Sequence, residues 1–240
     1  MESCKGKEIK ILDKGHIRIE GVMGDDLTVV NSARVSFGKR KEVWDEKDAK
    51  LVRYLAKNKH FSPFRHLQIQ LNIKAPEFVM RQLFRHVVGI EATSNYPTKD
   101  TPWNEISGRY VPVKEYYYPE VWRKQSQDNK QASEGKLDYD GQETASSLYR
   151  TGINETKRIY EELVNLGVAK EQARSILPLS QYTQVWWTAS FQSIMNFIEL
   201  RDEKTAQVEI QEYARALKKI MLDVFPETTK LWEEVYWNED

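Results

Sequence analysis

Apolar and polar residues alternate in a few short stretches of this 240-residue chain, and recur at helical spacing through much of the rest. Lys7–Leu12 (KEIKIL) and His16–Val22 (HIRIEGV) alternate on either side of Asp13-Lys14-Gly15, which predicts a hairpin closed by that turn. Leu67–Ile73 (LQIQLNI) alternates strictly and predicts a half-buried strand. Tyr182–Thr188 (YTQVWWT) is aromatic and β-branched, the composition of a further strand. Asp25 or Asp26 is placed to cap a helix through Leu27, Val30 and Ala33 to about Val35. Asp45–Lys59 sets Ala49, Val52, Leu55 and Ala56 at helical spacing. Pro76 opens another helix at its favoured first position, with Phe78, Val79, Leu83 and Val87 as the buried stripe. Helices are also expected at about Glu143–Leu166 (closed by Gly167), Lys170–Ile176 (stopped by Pro178), Phe191–Leu200, Glu203–Val224 and Thr228–Tyr236. Residues 89–106 read as loop because Gly89, Asn95, Pro97, Asp100 and Pro102 interrupt any period. Gly108–Lys114 reads as extended, and 123–141 as a polar, mobile excursion nearly free of apolar residues. Strands and helices without regular alternation predict an α+β fold with a mainly antiparallel sheet, one domain spanning 1–240.

Charge and cysteine content narrow the classes of function. With 36 basic and 36 acidic residues, the chain is not expected to bind nucleic acid generally or to lie on a membrane surface. No stretch approaches the ~20 apolar residues of a membrane span, and MESCKGKEIK lacks an apolar run, so a cytoplasmic protein is expected. The single cysteine, Cys4, excludes an internal disulfide; ahead of the first strand, it has no positioned base to make it a nucleophile. His60 and His66 have no further ligand nearby in sequence, so no metal site is expected. Glycine-rich dinucleotide and phosphate-loop fingerprints and HExxH are all missing.

The candidate chemistry concentrates in Arg81–Tyr110 (RQLFRHVVGIEATSNYPTKDTPWNEISGRY). Gln82, Arg85 and His86 stand three and four apart, which places them on one helical face. Beyond a polar loop come Asn104, Glu105, Ser107 and Arg109, the last three at alternate positions of an expected extended segment. A solvated helix face accounts for the first group equally well. Joined to the second, its guanidinium forks, carboxylate and hydroxyl suit a phosphorylated, base-bearing ligand. Arg174 lies on the expected short helix, and Gln192 and Asn196 form a polar stripe on the helix that runs to Arg201.

At these residues the chain resembles the flavin-dependent thymidylate synthases, from about Lys10 to Ala216. The matching segments include SARVSF, HFSPFRH, KAPEFVMRQLFRH, NEISGRY, ARSILPLSQYT and SIMNFIELR, in the family's order. The resemblance implies reductive methylation of dUMP to dTMP. Methylenetetrahydrofolate would be the carbon donor, NADPH the reductant and FAD the cofactor, in a homotetramer with shared active sites and without a cysteine nucleophile. Carried over by position, Gln82, Leu83, Phe84, Arg85, Glu105, Ile106, Ser107, Gly108, Arg109, Arg174 and Arg201 would bind dUMP, with Arg201 also catalytic. Ser36, Ser62, Arg85, His86, Val87, Glu105, Ser190, Gln192 and Asn196 fall at flavin-contacting positions. The chain departs from the pattern in four ways. Val87 replaces the third residue of the Arg-His-Arg signature, Ser190 and Gln192 replace the usual Asn and Arg, Thr205 replaces a His, and about Glu91–Pro102 is inserted. Thr93, Ser94, Asn95 and Lys99 of that insertion could replace lost flavin contacts; a tolerated surface loop is the alternative. A nucleotide- or flavin-binding homologue without turnover is the alternative to an active synthase.

Overall fold

The computed structural model describes residues 4–86, 103–112, 114–130 and 132–237. The first half of the chain supplies β1 (Glu8–Ile11), β2 (Gly15–Met23), α1 (Asp26–Arg34), α2 (Glu46–Lys57), β3 (Gln68–Pro76), α3 (Glu77–Leu83) and β4 (Trp103–Glu105). The second half supplies β5 (Arg123–Gln125), β6 (Ser133–Lys136), α4 (Tyr139–Asn165), α5 (Lys170–Ala173), β7 (Tyr182–Ser190), α6 (Phe191–Arg201), α7 (Val208–Val224) and α8 (Pro226–Tyr236). One antiparallel sheet has the order β1-β2-β3-β7-β4, so the architecture is α+β.

Alternation decides which face of that sheet is buried. Ile17 and Ile19 on β2, Ile69, Leu71 and Ile73 on β3, and Val185, Trp187 and Ala189 on β7 all enter the core. Against them packs α6, buried along most of its length, with one face of α7; Phe64, Phe191, Phe225 and Trp232 form an aromatic cluster beside it. The β1–β2 turn requires its glycine: a Cβ on Gly15 would lie 2.1 Å from the Tyr213 hydroxyl, which itself donates to the Lys74 carbonyl. Asp25 and Asp45 each close a capping box, which fixes where α1 and α2 begin.

Several expectations need correction. The polar stretch 123–141 contains the β5–β6 hairpin and the start of α4. It folds through side-chain bonds rather than an apolar face: Arg123 Nε donates to Ser133 Oγ at 2.9 Å, and Asp138 accepts from the Gly141 amide to begin the helix. The segment expected as extended, Gly108–Lys114, begins as a turn over Gly108–Val111, because the Ser107 carbonyl accepts from both the Tyr110 and Val111 amides. The last helical turn ends at Leu83, and Arg85 and His86 follow through bonds to the Gln82 and Leu83 carbonyls. The expected helix from Glu203 starts only at Val208, since Asp202–Ala206 is a polar turn with no face to bury. Val87 and Glu91–Pro102, with their expected roles, lie outside the described residues. Among the described helices, none is long and apolar enough to cross a membrane.

Candidate active site

Strand β4 is short and, among the described residues, pairs only with β7, placing Glu105 opposite Val185. The Ile106 amide then donates to the Gln184 carbonyl at 2.9 Å, which carries the chain past the sheet into the Ser107 turn. Between this turn, α5 and the ends of β3 and β7 opens a cleft of about 370 Å³, lined among others by Glu77, Glu105, Ile106, Gly108, Arg174 and Thr183. Thr183 Oγ1 donates to Glu105 Oε1 and holds the carboxylate at the wall. Gly108 leaves room for Arg174, whose Cδ would stand 3.4 Å from a Cβ there. Ser107 Oγ accepts from the Arg109 amide at 3.3 Å and lies 3.4 Å from its Nε. Ser107 and Arg109 thus meet through a turn, not through the expected strand alternation, while Glu105 is held separately by Thr183. Burial, and then the Glu105 charge, push the Glu77 carboxyl above its ordinary value.

A second group sits at the other end of α3, about 8 Å along the helix from Glu77. Gln82 Nε2 donates to Gln207 Oε1 at 2.8 Å. His86 is 6% exposed and packs edge-on against Phe197, with ring centroids 4.9 Å apart. Burial, and then the Arg201 charge, push its pKa down to about 4, so the ring is neutral at neutral pH. Its Nε2 therefore accepts from Arg201 Nε at 3.2 Å, which puts the ring proton on Nδ1, and among the described residues the terminal nitrogens of Arg201 have no hydrogen-bond partner. Arg85 is exposed beside this pair. Leu83 is 1% exposed in the core, so its side chain is an anchor rather than a ligand contact. Phe84 packs edge-on against Trp103, which stacks on Trp187.

Besides Arg85, His86 and Glu105, the expected flavin positions among the described residues fall on the first half of α6 with its cap and on two short turns. Ser190 Oγ accepts from the Ser193 amide and caps the helix. Gln192 is 4% exposed, and its Oε1 accepts from Arg65 Nε at 2.8 Å, tying α6 to the turn Ser62–His66. Asn196 is half-buried one turn further on, and Ser62 is exposed at the start of its own turn. Ser36 lies in the exposed turn Val35–Phe37 and makes no hydrogen bond to any of these residues. Arg65, Glu77 and Gln207 were not singled out in the sequence. Arg65 and Gln207 meet partners 127 and 125 residues away, a relation that no periodicity carries.

Charge pairing separates these arginines from others in the chain. Arg18, Arg34, Arg53, Arg123, Arg158 and Arg215 each close on a carboxylate. Among the described residues, no carboxylate lies within 4.0 Å of a guanidinium nitrogen of Arg65, Arg85, Arg109, Arg174 or Arg201. Arg40, Arg81 and Arg150, on exposed surface, likewise have no carboxylate within 4.0 Å among the described residues; the five stand on or beside the residues just described.

The family described as thymidylate synthase complementing protein matches residues 19–227. A flavin-dependent thymidylate synthase of Kosmotoga olearia is 42% identical over 222 residues, covering 92% of this chain and 91% of that one. Its counterpart from Thermus thermophilus is 41% identical over 227 residues, covering 94% and 78%. Among solved structures, the UMP/dUMP methylase PolB from Streptomyces cacaoi, bound with 5-Br dUMP, aligns with a TM-score of 0.78 and 26% identity, covering 95% of this chain and 98% of that one. Fold and relatives together define a methyltransferase of mixed helix and antiparallel sheet. More narrowly, the chain belongs to the flavin-dependent thymidylate synthase family.

Proposed function

We infer that this chain methylates dUMP to dTMP reductively, with FAD as cofactor and methylenetetrahydrofolate and NADPH as co-substrates, in a cytoplasmic homotetramer whose subunits share active sites. The observation that carries this reading is the set of guanidinium groups left without carboxylates around the cleft and α3. A guanidinium with no internal anion is a binding site for an external one, and a nucleotide phosphate fits its fork. Arg109 and Arg174, with the Ser107 hydroxyl, form the phosphate end. Glu105, fixed by Thr183, accepts from a sugar or ring donor. Arg201, oriented through Nε by neutral His86, presents its terminal N–H groups to the uracil ring. A fixed cation there lowers the cost of negative charge developing on the ring.

The flavin's fit is judged on the donors present. Arg65, Arg85 and the Ser62 hydroxyl are donors suited to a pyrophosphate, and no carboxylate of the described residues competes for the two guanidinium groups. Arg65, held by Gln192, also restores a guanidinium at a position where the chain lacks the family's usual arginine. When bound, FAD would supply the redox chemistry that links NADPH to reduction of the transferred carbon. Cys4 lies in a turn before β1, remote in sequence from every residue of the site, in keeping with a reaction that needs no thiolate. Tritium release from 5-tritiated dUMP by flavin-loaded protein tests the reading: release that depends on both folate and NADPH is expected, and none would refute it.

A further inference from the structure

Glu77 is a carboxylate on the cleft wall to which the nucleotide reading gives no role. It opens α3 directly after Pro76 and is half-buried. Its amide donates to the Gln181 carbonyl at 2.9 Å, and the Phe78 amide donates to that of Leu179 at 3.1 Å. Those bonds fix its backbone against the chain entering β7, on the cleft lined also by Glu105 and Arg174. Among the described residues, no cation lies within 4.0 Å of the Glu77 carboxyl. The hydrogen bond it accepts from Gln181 Nε2 is long at 3.4 Å, and Gln181 Oε1 is buried without a partner. Arg174, and Arg81 on α3, favour its ionised form from further away, and Lys114 stands on the exposed rim. Lys74 and Glu115, also at the cleft, neutralise each other at 2.6 Å. Tyr182 donates its hydroxyl to Asp13 Oδ1 at 2.6 Å, and burial and that bond keep it a neutral phenol.

The Glu77 charge is therefore held in balance: burial and Glu105 oppose it, while Arg81 and Arg174 favour it. A nucleotide phosphate alters that balance. Seated on Arg174, a dianionic phosphate offsets a cation that favours the Glu77 carboxylate, and the ligand displaces water from a carboxyl already half out of it. Both changes make a further anion in the cleft costlier. A proton removes that cost, and the neutral carboxyl can then donate as well as accept. Gln181 can answer either form, because a half-turn of its amide sets oxygen in place of nitrogen toward Glu77. We propose that Glu77 is an additional nucleotide-binding residue whose carboxylate takes up a proton as the phosphate enters, so that the cleft binds nucleotide and proton together. The proposal rests on the reading above that Arg174 receives the phosphate of a nucleotide. The proton comes from solvent and returns to it when the nucleotide leaves; only an O–H bond is made and broken.

Calorimetric titration of dUMP into flavin-loaded protein tests this, run from about pH 5.5 to 8.5 in buffers of different ionisation enthalpy. Glu77→Gln places a neutral amide where the protonated carboxyl would be, and Glu77→Met is a second variant that cannot titrate. Wild-type protein should take up more protons on binding than either variant, by an increment of at most about one. The sign follows from the linkage: a carboxyl protonated more readily in the complex than in the free protein makes binding tighten as pH falls. Wild type and Glu77→Gln should therefore bind dUMP nearly alike at the acid end, with Glu77→Gln about tenfold tighter at the alkaline end. Titration of the dUMP phosphate itself is common to both proteins and cancels in that ratio. Proton uptake equal in wild type and variants would overturn the proposal, as would an affinity ratio that does not move with pH. Failure of wild-type protein to bind dUMP at all would be a different result, and would remove the nucleotide reading itself.

Discussion

Two regions of this protein gather charge, and they treat it in opposite ways. At the corner between α1 and α2, Asp48 is fully buried, with Arg34 at 2.5 Å and Lys41 at 2.7 Å, and Lys41 also reaches Asp45. The Asp45 amide donates to Asp48, while Asn31 takes both the carbonyl and the amide of Lys41. Burial would raise the Asp48 carboxyl, but Lys41, the Asp45 amide and Arg34 outweigh it and hold it below its ordinary value. Every charge there is answered from within the chain. Around the cleft and α3, by contrast, no carboxylate of the described residues lies within 4.0 Å of a guanidinium nitrogen of Arg109, Arg174 or Arg201, and the Glu105 charge outweighs the more distant Arg81 and Arg174 in raising the Glu77 carboxyl. The first arrangement fixes a backbone corner; the second leaves its guanidinium groups without a close internal counter-ion among the described residues. Charged residues alone therefore say little about function until their partners are known.

The comparison can be broken experimentally. Its largest expected effect lies on the open side: Arg201→Ala should reduce turnover by about a thousandfold, near 4 kcal/mol, while FAD stays bound and the melting temperature holds. Undiminished turnover would remove the assigned role. On the closed side, Asp48→Ala leaves Arg34 and Lys41 facing each other and opens the α2 capping box. Urea titration should show a loss of about 3 kcal/mol, with dUMP affinity little changed. A parallel loss of dUMP affinity would show that the two regions are not separate.

Protonation sharpens the contrast further. The His86 pKa falls from 6.5 to about 4 in the folded chain, so between those values the unfolded chain holds a proton that the folded one lacks. Stability of the flavin-free protein should accordingly fall by about 2 kcal/mol as pH drops through that window, a slope that His86→Gln should abolish. The smallest effect belongs to Asp45. The Lys41 ammonium holds its carboxyl at about 2 against an ordinary 3.8, so its contribution is complete above the higher value and disappears as pH falls through the lower. Acid unfolding of Asp45→Asn should lack this final component, and an unchanged acid limb would show that the Asp45 pairing adds nothing.

Much of the scaffold was legible because burial writes a period into the sequence. β2, β3 and β7 alternate, α2 carries its apolar stripe, and α6 follows directly from β7. The β5–β6 hairpin was not legible, since Arg123–Gln125 and Ser133–Lys136 bury no apolar face and pair through polar side chains. The site was legible as residue types, with Arg109, Arg174 and Arg201 all marked. Its internal wiring was not. That Arg201 leans on His86, Arg65 on Gln192 and Gln82 on Gln207 depends on contacts more than a hundred residues apart in sequence.

The Trp103–Trp187 stack gives the molecule an optical label. The two indoles lie 4.4 Å apart and 7° from parallel, one on β4 just ahead of Glu105 and the other in the middle of β7. Rings so close couple their electronic transitions, and the coupling falls steeply with separation and tilt. Any event that shifts β4 against the sheet, and with it the segment bearing Glu105, Ser107 and Arg109, will change the near-ultraviolet dichroism and emission of the native protein without an attached dye.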